Sequence, residues 1–131
     1  MTARIRNITM DCADPLALAD FWSQATAYRE DPTNPNNPGD PEALLVDPDG
    51  GPALLFVPVP AEKIAQSRAG RRMHFDIMPT DRSRDDEVER LKTIGATEYE
   101  DHRRPDGTGW VTMADPEGNL FCVERSAAER A

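Results

Sequence analysis

The chain carries one short pattern twice. An alternating strand that leads to Asp14 in the first half has a counterpart that leads to Asp81, 67 residues later. The motif Asp47–Gly50 recurs with one conservative change as Asp115–Gly118, 68 residues later. Two landmarks that recur in the same order at nearly one spacing indicate a duplicated unit of supersecondary structure. The sequence therefore predicts one pseudo-symmetric domain over residues 1–131, with any site between the copies.

Composition limits the possible partners. A formal net charge of −9 and a pI near 4.6 oppose binding to nucleic-acid phosphates or to an anionic membrane surface. No stretch approaches the roughly 18 apolar residues of a membrane span, and the first residues lack the apolar run of a signal peptide. The two cysteines, Cys12 and Cys122, lie in apolar runs that suit reduced thiols. We therefore expect a cytoplasmic protein that binds a small molecule, not nucleic acid or a membrane.

The first half is predicted to form a strand, a helix and a hairpin. Residues 5–12 alternate between apolar and polar side chains, as in a strand with one buried face. Asp14 suits a helix N-cap and Pro15 the first helical turn, so a helix should run to about residue 26. A short strand start at 28–30 precedes a loop rich in Pro and Asn. The hairpin strands are predicted at 44–46 and 53–59.

The second half repeats this order. A strand is predicted at 72–78 and a helix at 85–94, which Gly95 ends. Three further strands follow at 96–101, 110–114 and 120–124, and residues 126–131 are predicted to be a frayed tail. The two modules are thus 5–60 and 71–125. The linker 61–70 has room for a helical turn at 63–66.

These residues resemble the glyoxalase-like branch of the vicinal oxygen chelate superfamily, which includes bleomycin resistance proteins and dioxygenases. The resemblance covers about residues 5–125. The motifs that carry it are Met10–Pro15, Phe21 with Trp22, Arg72–Asp76, Ile94–Ala96 and Asp115–Cys122. It implies an α+β fold in which two βαβββ modules form a cup of mixed β-sheet with flanking helices. It also implies a homodimer.

In metal-using members of that superfamily, four strands each provide one ligand to a divalent ion. By resemblance, the four ligand positions fall on Asn7, Leu54, His74 and Cys122. Only His74 has the usual residue type, and a leucine cannot bind a metal ion. We therefore expect no cofactor, with a divalent ion such as Zn, Mn, Ni or Fe as the less favoured alternative. For zinc, His74 and Cys122 with Asp76 or Glu124 would be acceptable ligands.

Strand alternation, together with the positions that the resemblance implies, selects the candidate site residues. His74 and Asp76 share the polar face of their strand and form the candidate catalytic pair. The residues expected to line the cup and bind the ligand are Asn7, Asp11, Leu54, Phe56, Trp110, Thr112 and Cys122. Packing in the core remains the alternative for the aromatic residues. Arginine pairs at 71–72 and 103–104 are candidates to clamp an anionic ligand.

Two classes of function fit this pattern. The first is a small-molecule binder that needs no metal, like the antibiotic-sequestering members of the superfamily. The second is an enzyme. It would be a metal-dependent lyase, isomerase or dioxygenase with substituted ligands, or a metal-free acid–base catalyst that uses His74 and Asp76. The incomplete ligand set favours the binder.

Overall fold

The protein has a mixed α+β fold. Its computed structural model describes residues 4–68 and 73–131, with side chains at all of these except 65–68. The elements in chain order are β1 Asn7–Cys12, α1 Pro15–Ala25, β2 Ala43–Leu45, β3 Ala53–Pro58, α2 Ala61–Arg68, β4 Phe75–Ile77, α3 Arg84–Thr93, β5 Thr97–Asp101, β6 Val111–Ala114, β7 Leu120–Val123 and α4 Ala127–Arg130. They divide into two compact units, 1–70 and 71–131. None of the described helices is long and apolar enough to cross a membrane.

The first unit contains a three-stranded sheet in the order β1-β3-β2, with β1 parallel to β3. Helix α1 begins where predicted, because the side chain of Asp14 accepts a hydrogen bond from the backbone N–H of Ala17. The strand start predicted at 28–30 is reduced to a single bridge between Arg29 and Val46. The linker forms a helix that is longer than the predicted turn, α2.

The register of the first sheet corrects the predicted face of two candidate residues. Leu54 lies opposite Ile8, and Phe56 lies opposite Met10, whereas Asn7 pairs with Ala53 on the other face. Helix α1 packs against β2 and β3, and Leu54 and Phe56 are buried at 3% and 0% exposure. The expectation that Leu54 and Phe56 share a face with Asn7 and Asp11 was therefore wrong. A shift of one position in a strand reverses the face of every side chain.

The second unit has the predicted order of strand, helix and three strands. Its sheet has the order β4-β7-β6-β5, with β4 parallel to β7 and the other pairs antiparallel. Helix α3 packs against β5 and β7. The buried residues of this core are Val88, Leu91, Val111, Met113, Phe121 and Val123. The opposite face of the sheet carries Asp76, Thr112 and Cys122, which are exposed or half-buried.

A buried arginine fastens α3 to the loop before β6. Arg84 is 4% exposed, and its Nη1 donates to the carbonyl oxygens of Gly107, Thr108 and Gly109 at 3.1, 3.2 and 2.9 Å. Its Nε donates to Asp85 at 2.9 Å. A buried guanidinium requires such partners, because an unpaired charge in the protein interior is costly. Arg84 thereby fixes the loop that leads to Trp110.

The tail after β7 is ordered, so the prediction of a frayed end was wrong. Ser126 and Glu129 form a capping box at the start of α4. The Glu129 carboxylate also accepts the backbone N–H of Arg84 at 2.8 Å, which joins the tail to the start of α3. Burial opposes ionisation of Glu129, but hydrogen bonds from Ser126 and Arg84 outweigh it and lower the pKa of this carboxyl group.

We expect Arg84→Met to lower the free energy of unfolding by about 2 to 3 kcal/mol, because three carbonyl groups lose a charged donor. Urea unfolding measures this difference. Arg130→Met is the matched control: Arg130 pairs with Glu124 on the surface, and loss of an exposed ion pair costs about 1 kcal/mol or less. Equal losses in the two variants would contradict the role given to Arg84.

Candidate functional site

A pocket of about 550 Å³ lies on the polar face of the second sheet. It lies entirely within the second unit and is open to solvent. The residues that matter most for its chemistry are His74, Asp76, His102, Trp110, Thr112 and Cys122. Its size is within the range of about 300 to 1,000 Å³ that is usual for small-molecule sites.

Three side chains of types that can ligate a metal ion meet in this pocket. His74 Nε2 lies 3.1 Å from Asp76 Oδ1, and ligand atoms of His74, Asp76 and Cys122 all lie within 4.8 Å of one another. The strand register causes this cluster: Asp76 lies opposite Cys122, and Cys122 lies opposite Thr112 on the next strand. The hydroxyl of Thr112 is 3.5 Å from Cys122 Sγ. We call His74, Asp76 and Cys122 the ligand cluster.

The pocket also has an aromatic part. The rings of His102 and Trp110 stack with centroids 4.7 Å apart and planes inclined by 23°. The guanidinium carbon of Arg104 lies 5.9 Å from the centroid of the Trp110 ring, within the range of a cation–π contact. These contacts hold the indole in place, so the pocket has a preformed aromatic wall made of His102 and Trp110.

His102 was missed by the sequence analysis, although a signal was present. The turn predicted between the strands 96–101 and 110–114 has His102 and Trp110 at its two ends. In a hairpin, residues that flank the turn face each other. The backbone N–H of His102 donates to the carbonyl of Trp110 at 2.9 Å. Gly109 permits this approach: its φ is +92°, and a Cβ there would collide with the carbonyl of His102.

The carboxylates around the pocket have cationic or imidazole partners. Glu100 lies 2.9 Å from His102 Nε2, and Glu124 accepts a hydrogen bond from Arg130 at 3.0 Å. On the nearby turn, Arg103 pairs with Asp101 at 2.8 Å and holds the pKa of that carboxyl well below its usual range. Arg103 is therefore part of an ion-pair network at the turn, which weakens its predicted role as an anion clamp.

The environment of Cys122 opposes thiolate formation. Burial is the main cause that raises the pKa of the Cys122 thiol, and the negative charges of Asp76 and Glu124 add to it. The hydrogen bond with Thr112 acts in the opposite direction but is outweighed. A thiol nucleophile is activated by a lowered pKa. The protein without a bound ion thus presents Cys122 as a neutral thiol, not as an activated nucleophile.

Five of the nine predicted site residues meet in this pocket: His74, Asp76, Trp110, Thr112 and Cys122. The other four lie in the first unit. Asn7 and Asp11 are on the polar face of β1, and Leu54 and Phe56 are in the core behind it. The arginine pair 71–72 lies outside the described residues.

A larger cleft of about 740 Å³ lies in the first unit beside α1. Several of its polar side chains are engaged in local structure. Asp14 caps α1, Asp20 accepts a hydrogen bond from Gln24, and Glu30 accepts the backbone N–H of Asn36. Among the described residues that line the cleft, none is a histidine, cysteine or tryptophan. We therefore take the smaller pocket of the second unit as the candidate site.

Comparison with known families agrees with the fold. The family model of the glyoxalase-like domain matches residues 7–124, and so spans both units. The chain belongs to the glyoxalase-like domain family. No curated protein sequence matches this glyoxalase-like chain.

Solved structures of the glyoxalase/bleomycin resistance/dioxygenase superfamily share its fold. An enzyme of this superfamily from Burkholderia phytofirmans has 17% identity and a TM-score of 0.66, over 92% of this chain and 97% of that one. A mutant of the fosfomycin resistance protein FosX from Listeria monocytogenes, complexed with Mn(II) and 1S,2S-dihydroxypropylphosphonic acid, has 17% identity and a TM-score of 0.65, over 99% and 95%. Lactoylglutathione lyase from Agrobacterium tumefaciens has 18% identity and a TM-score of 0.59, over 98% and 97%.

The residues of this glyoxalase-like protein do not fit the divalent ion that the superfamily implies. At the four positions that the resemblance implies for the metal ligands, Leu54 has no ligand atom and is buried, and Cys122 offers a thiol where the resemblance implies an oxygen ligand. The neighbouring Leu55, which lies on the opposite face of β3, cannot act as the ligand in place of Leu54 because it is also apolar. A hard ion such as Mn²⁺ prefers oxygen ligands, so two of the four positions fail to meet its requirements.

We expect Cys122 to react slowly with iodoacetamide near neutral pH and to reach its half-maximal rate at a higher pH than an ordinary cysteine, because burial raises the pKa of its thiol. Peptide mass spectrometry in the presence of a chelator separates Cys122 from Cys12. Cys122→Ser confirms the assignment. Rapid alkylation of Cys122 at neutral pH would contradict this description of the site.

Proposed function

We propose that this protein binds a small, partly planar organic molecule in the pocket of the second unit. The observation that carries the proposal is the stacked wall of His102 and Trp110, which lines the same cavity as the contacting pair His74 and Asp76. Small-molecule sites typically combine apolar or aromatic walls with a few polar groups that fix orientation. The bound molecule would stack its ring on the wall and direct a polar group towards His74 and Asp76.

Binding of this kind does not need the divalent ion of the superfamily. The aromatic wall supplies contact area, and its rings are already held by their neighbours, so little side-chain freedom is lost on binding. The incomplete set of inherited ligands supports the same view. The role as a metal-dependent lyase, isomerase or dioxygenase is the less favoured alternative. Homodimer formation and a cytoplasmic location remain predictions from the sequence.

A second candidate function is metal-free acid–base catalysis. The contact of 3.1 Å between His74 Nε2 and Asp76 Oδ1 favours it, because a carboxylate that orients an imidazole is a common arrangement in general acid–base sites. About half of each side chain is exposed, so a substrate could reach the pair. A binder and an enzyme differ in whether the bound molecule is changed, and NMR spectra of a bound compound over time distinguish them.

We expect Trp110→Ala to weaken binding of small planar compounds by about 5- to 150-fold, which corresponds to about 1 to 3 kcal/mol for the loss of an aromatic wall. A library of planar heteroaromatic fragments is the probe. Hits are identified by NMR with the unmodified protein and their affinities are measured by titration calorimetry.

Tyr99→Ala is the matched control for this variant. Tyr99 is an aromatic residue of the same unit that is 59% exposed and does not line the pocket. Its removal should leave the affinities unchanged. The proposal fails if no fragment binds, or if Trp110→Ala retains full affinity for the fragments that bind the unmodified protein.

For the catalytic alternative, we expect Asp76→Asn to slow turnover of any converted compound by about 100-fold or more while leaving its affinity within a few-fold, since the amide removes charge but keeps shape. The measurement is single-turnover conversion by NMR. An unchanged rate in Asp76→Asn would exclude the pair as the acid–base group.

A further inference from the structure

We propose that an ion pair between Glu124 and Arg130 determines the charge selectivity of the pocket in the second unit. Glu124 lines this pocket, whereas Arg130 belongs to the C-terminal helix α4. Arg130 would act as a specificity-determining residue, because it balances the charge of a pocket carboxylate without contacting the ligand. The inference rests on the proposed function, since it concerns the same small-molecule site.

The end of β7 places Glu124 in the pocket. Glu124 follows Cys122 of the ligand cluster by two residues, so both side chains lie on the same face of the sheet. Its backbone N–H donates to the carbonyl of Ile77 at 2.9 Å, which holds it beside the end of β4. Burial is the main cause that raises the pKa of the Cys122 thiol, and the negative charges of Asp76 and Glu124 add to it. The charge of Glu124 therefore acts on atoms of the pocket lining.

Arg130 balances this charge permanently. Its Nη2 donates to Glu124 Oε2 at 3.0 Å, and an arginine stays protonated at any working pH. Asp76, which also lines the pocket, has an imidazole partner, His74, whose charge changes with protonation. Among the described residues that line the pocket, none is a lysine or an arginine. The cation that pairs with Glu124 therefore comes from outside the lining.

The position of Arg130 depends on the ordered tail. Its Nε donates to the carbonyl of Arg125 at 3.2 Å, which orients the guanidinium. The capping box of Ser126 and Glu129 begins α4, and the Glu129 carboxylate also accepts the backbone N–H of Arg84. These contacts tie α4 to the start of α3. The tail thus supplies the cation that balances the pocket carboxylate.

Coulomb's law gives the size of the effect. A ligand atom that contacts Glu124 would lie about 6 to 7 Å from the guanidinium, because two contacts of about 3 Å follow one another. At about 7 Å and an effective dielectric constant of about 40 to 80, one unit charge changes the affinity of a singly charged ligand by about 3- to 7-fold. A neutral ligand of similar shape is affected little. The ratio of the affinities for a cation and for its neutral counterpart therefore measures the balance between Glu124 and Arg130.

The test compares two planar probes: N-methylquinolinium, which has a permanent positive charge, and quinoline, which is uncharged at neutral pH. Their affinities for the full chain are measured by titration calorimetry at low ionic strength. We expect Arg130→Gln to raise the preference for the cation by about 3- to 7-fold, and Glu124→Gln to lower it by a similar factor. The double variant should stay within about 2-fold of the unmodified protein, because both charges are removed together. In about 1 M salt the differences should largely vanish, since the Debye length falls to about 3 Å.

Lys92→Gln is the matched control for the loss of one positive charge. Lys92 forms a surface ion pair with Glu89 on α3, which packs against the opposite face of the sheet. Its replacement should leave the ratio of affinities unchanged. Arg130→Lys keeps the charge and should also keep the ratio, a result that a purely structural role of the arginine would not give.

The inference is overturned if Arg130→Gln leaves the ratio unchanged, if Lys92→Gln changes it equally, or if the double variant departs from the unmodified protein as far as Arg130→Gln does. Circular dichroism confirms that each variant folds. An unchanged ratio while quinoline still binds would contradict this inference alone. If neither probe binds the unmodified protein, the proposed function fails as well.

Discussion

The candidate site depends on the way β7 pairs with its two neighbours. It runs parallel to β4 on one side and antiparallel to β6 on the other, and the registers bring Asp76, Cys122 and Thr112 into one row across three strands. The same registers send Phe121 and Val123 into the core beneath α3. A shift of one residue in the register of one of these strands would turn its polar side chains into the core and its apolar ones outwards. For β4, this shift would bury the carboxylate of Asp76. The packing of the hydrophobic core therefore determines which side chains lie on the opposite face of the sheet.

The aromatic wall depends on a second constraint, the buried guanidinium of Arg84. Its hydrogen bonds to the carbonyl groups of residues 107–109 fix the turn that separates His102 from Trp110. Gly109 completes this turn, because only a residue without a Cβ allows the carbonyl of His102 to come so close. The contacts that stabilise this turn therefore also keep the aromatic wall formed before any ligand binds.

The sequence allowed most of the second unit to be predicted, because its strands alternate cleanly. The polar positions of His74, Asp76 and Thr112 follow from period two, whereas the position of Cys122 and its place beside His74 were implied by the resemblance to the superfamily. The first unit was harder to predict. The side chain of Asn36 makes two hydrogen bonds with the backbone of Leu44, so a loop residue replaces a regular strand there. A Pro-rich segment gives no periodic signal for such a contact.

The errors have separate physical causes. Leu54 and Phe56 were assigned to the wrong face because every residue at 53–57 is apolar, so alternation could not distinguish the two sides. The tail at 126–131 was expected to fray. It is tied to the rest of the unit by a hydrogen bond from the backbone N–H of Arg84 to Glu129, and this partner is distant in sequence. His102 needed the exact hairpin register. For the strand face and for the tail, the missing information was a tertiary contact.

The central claim is that the functional face of this glyoxalase-like protein is the polar side of the sheet β4-β7-β6. Amide chemical-shift mapping with a bound planar fragment tests it most directly. The account predicts the largest shifts at residues 74–76, 110–112 and 120–122. Shifts concentrated in the cleft beside α1, around Tyr28 and Arg29, would contradict it and would move the site to the first unit.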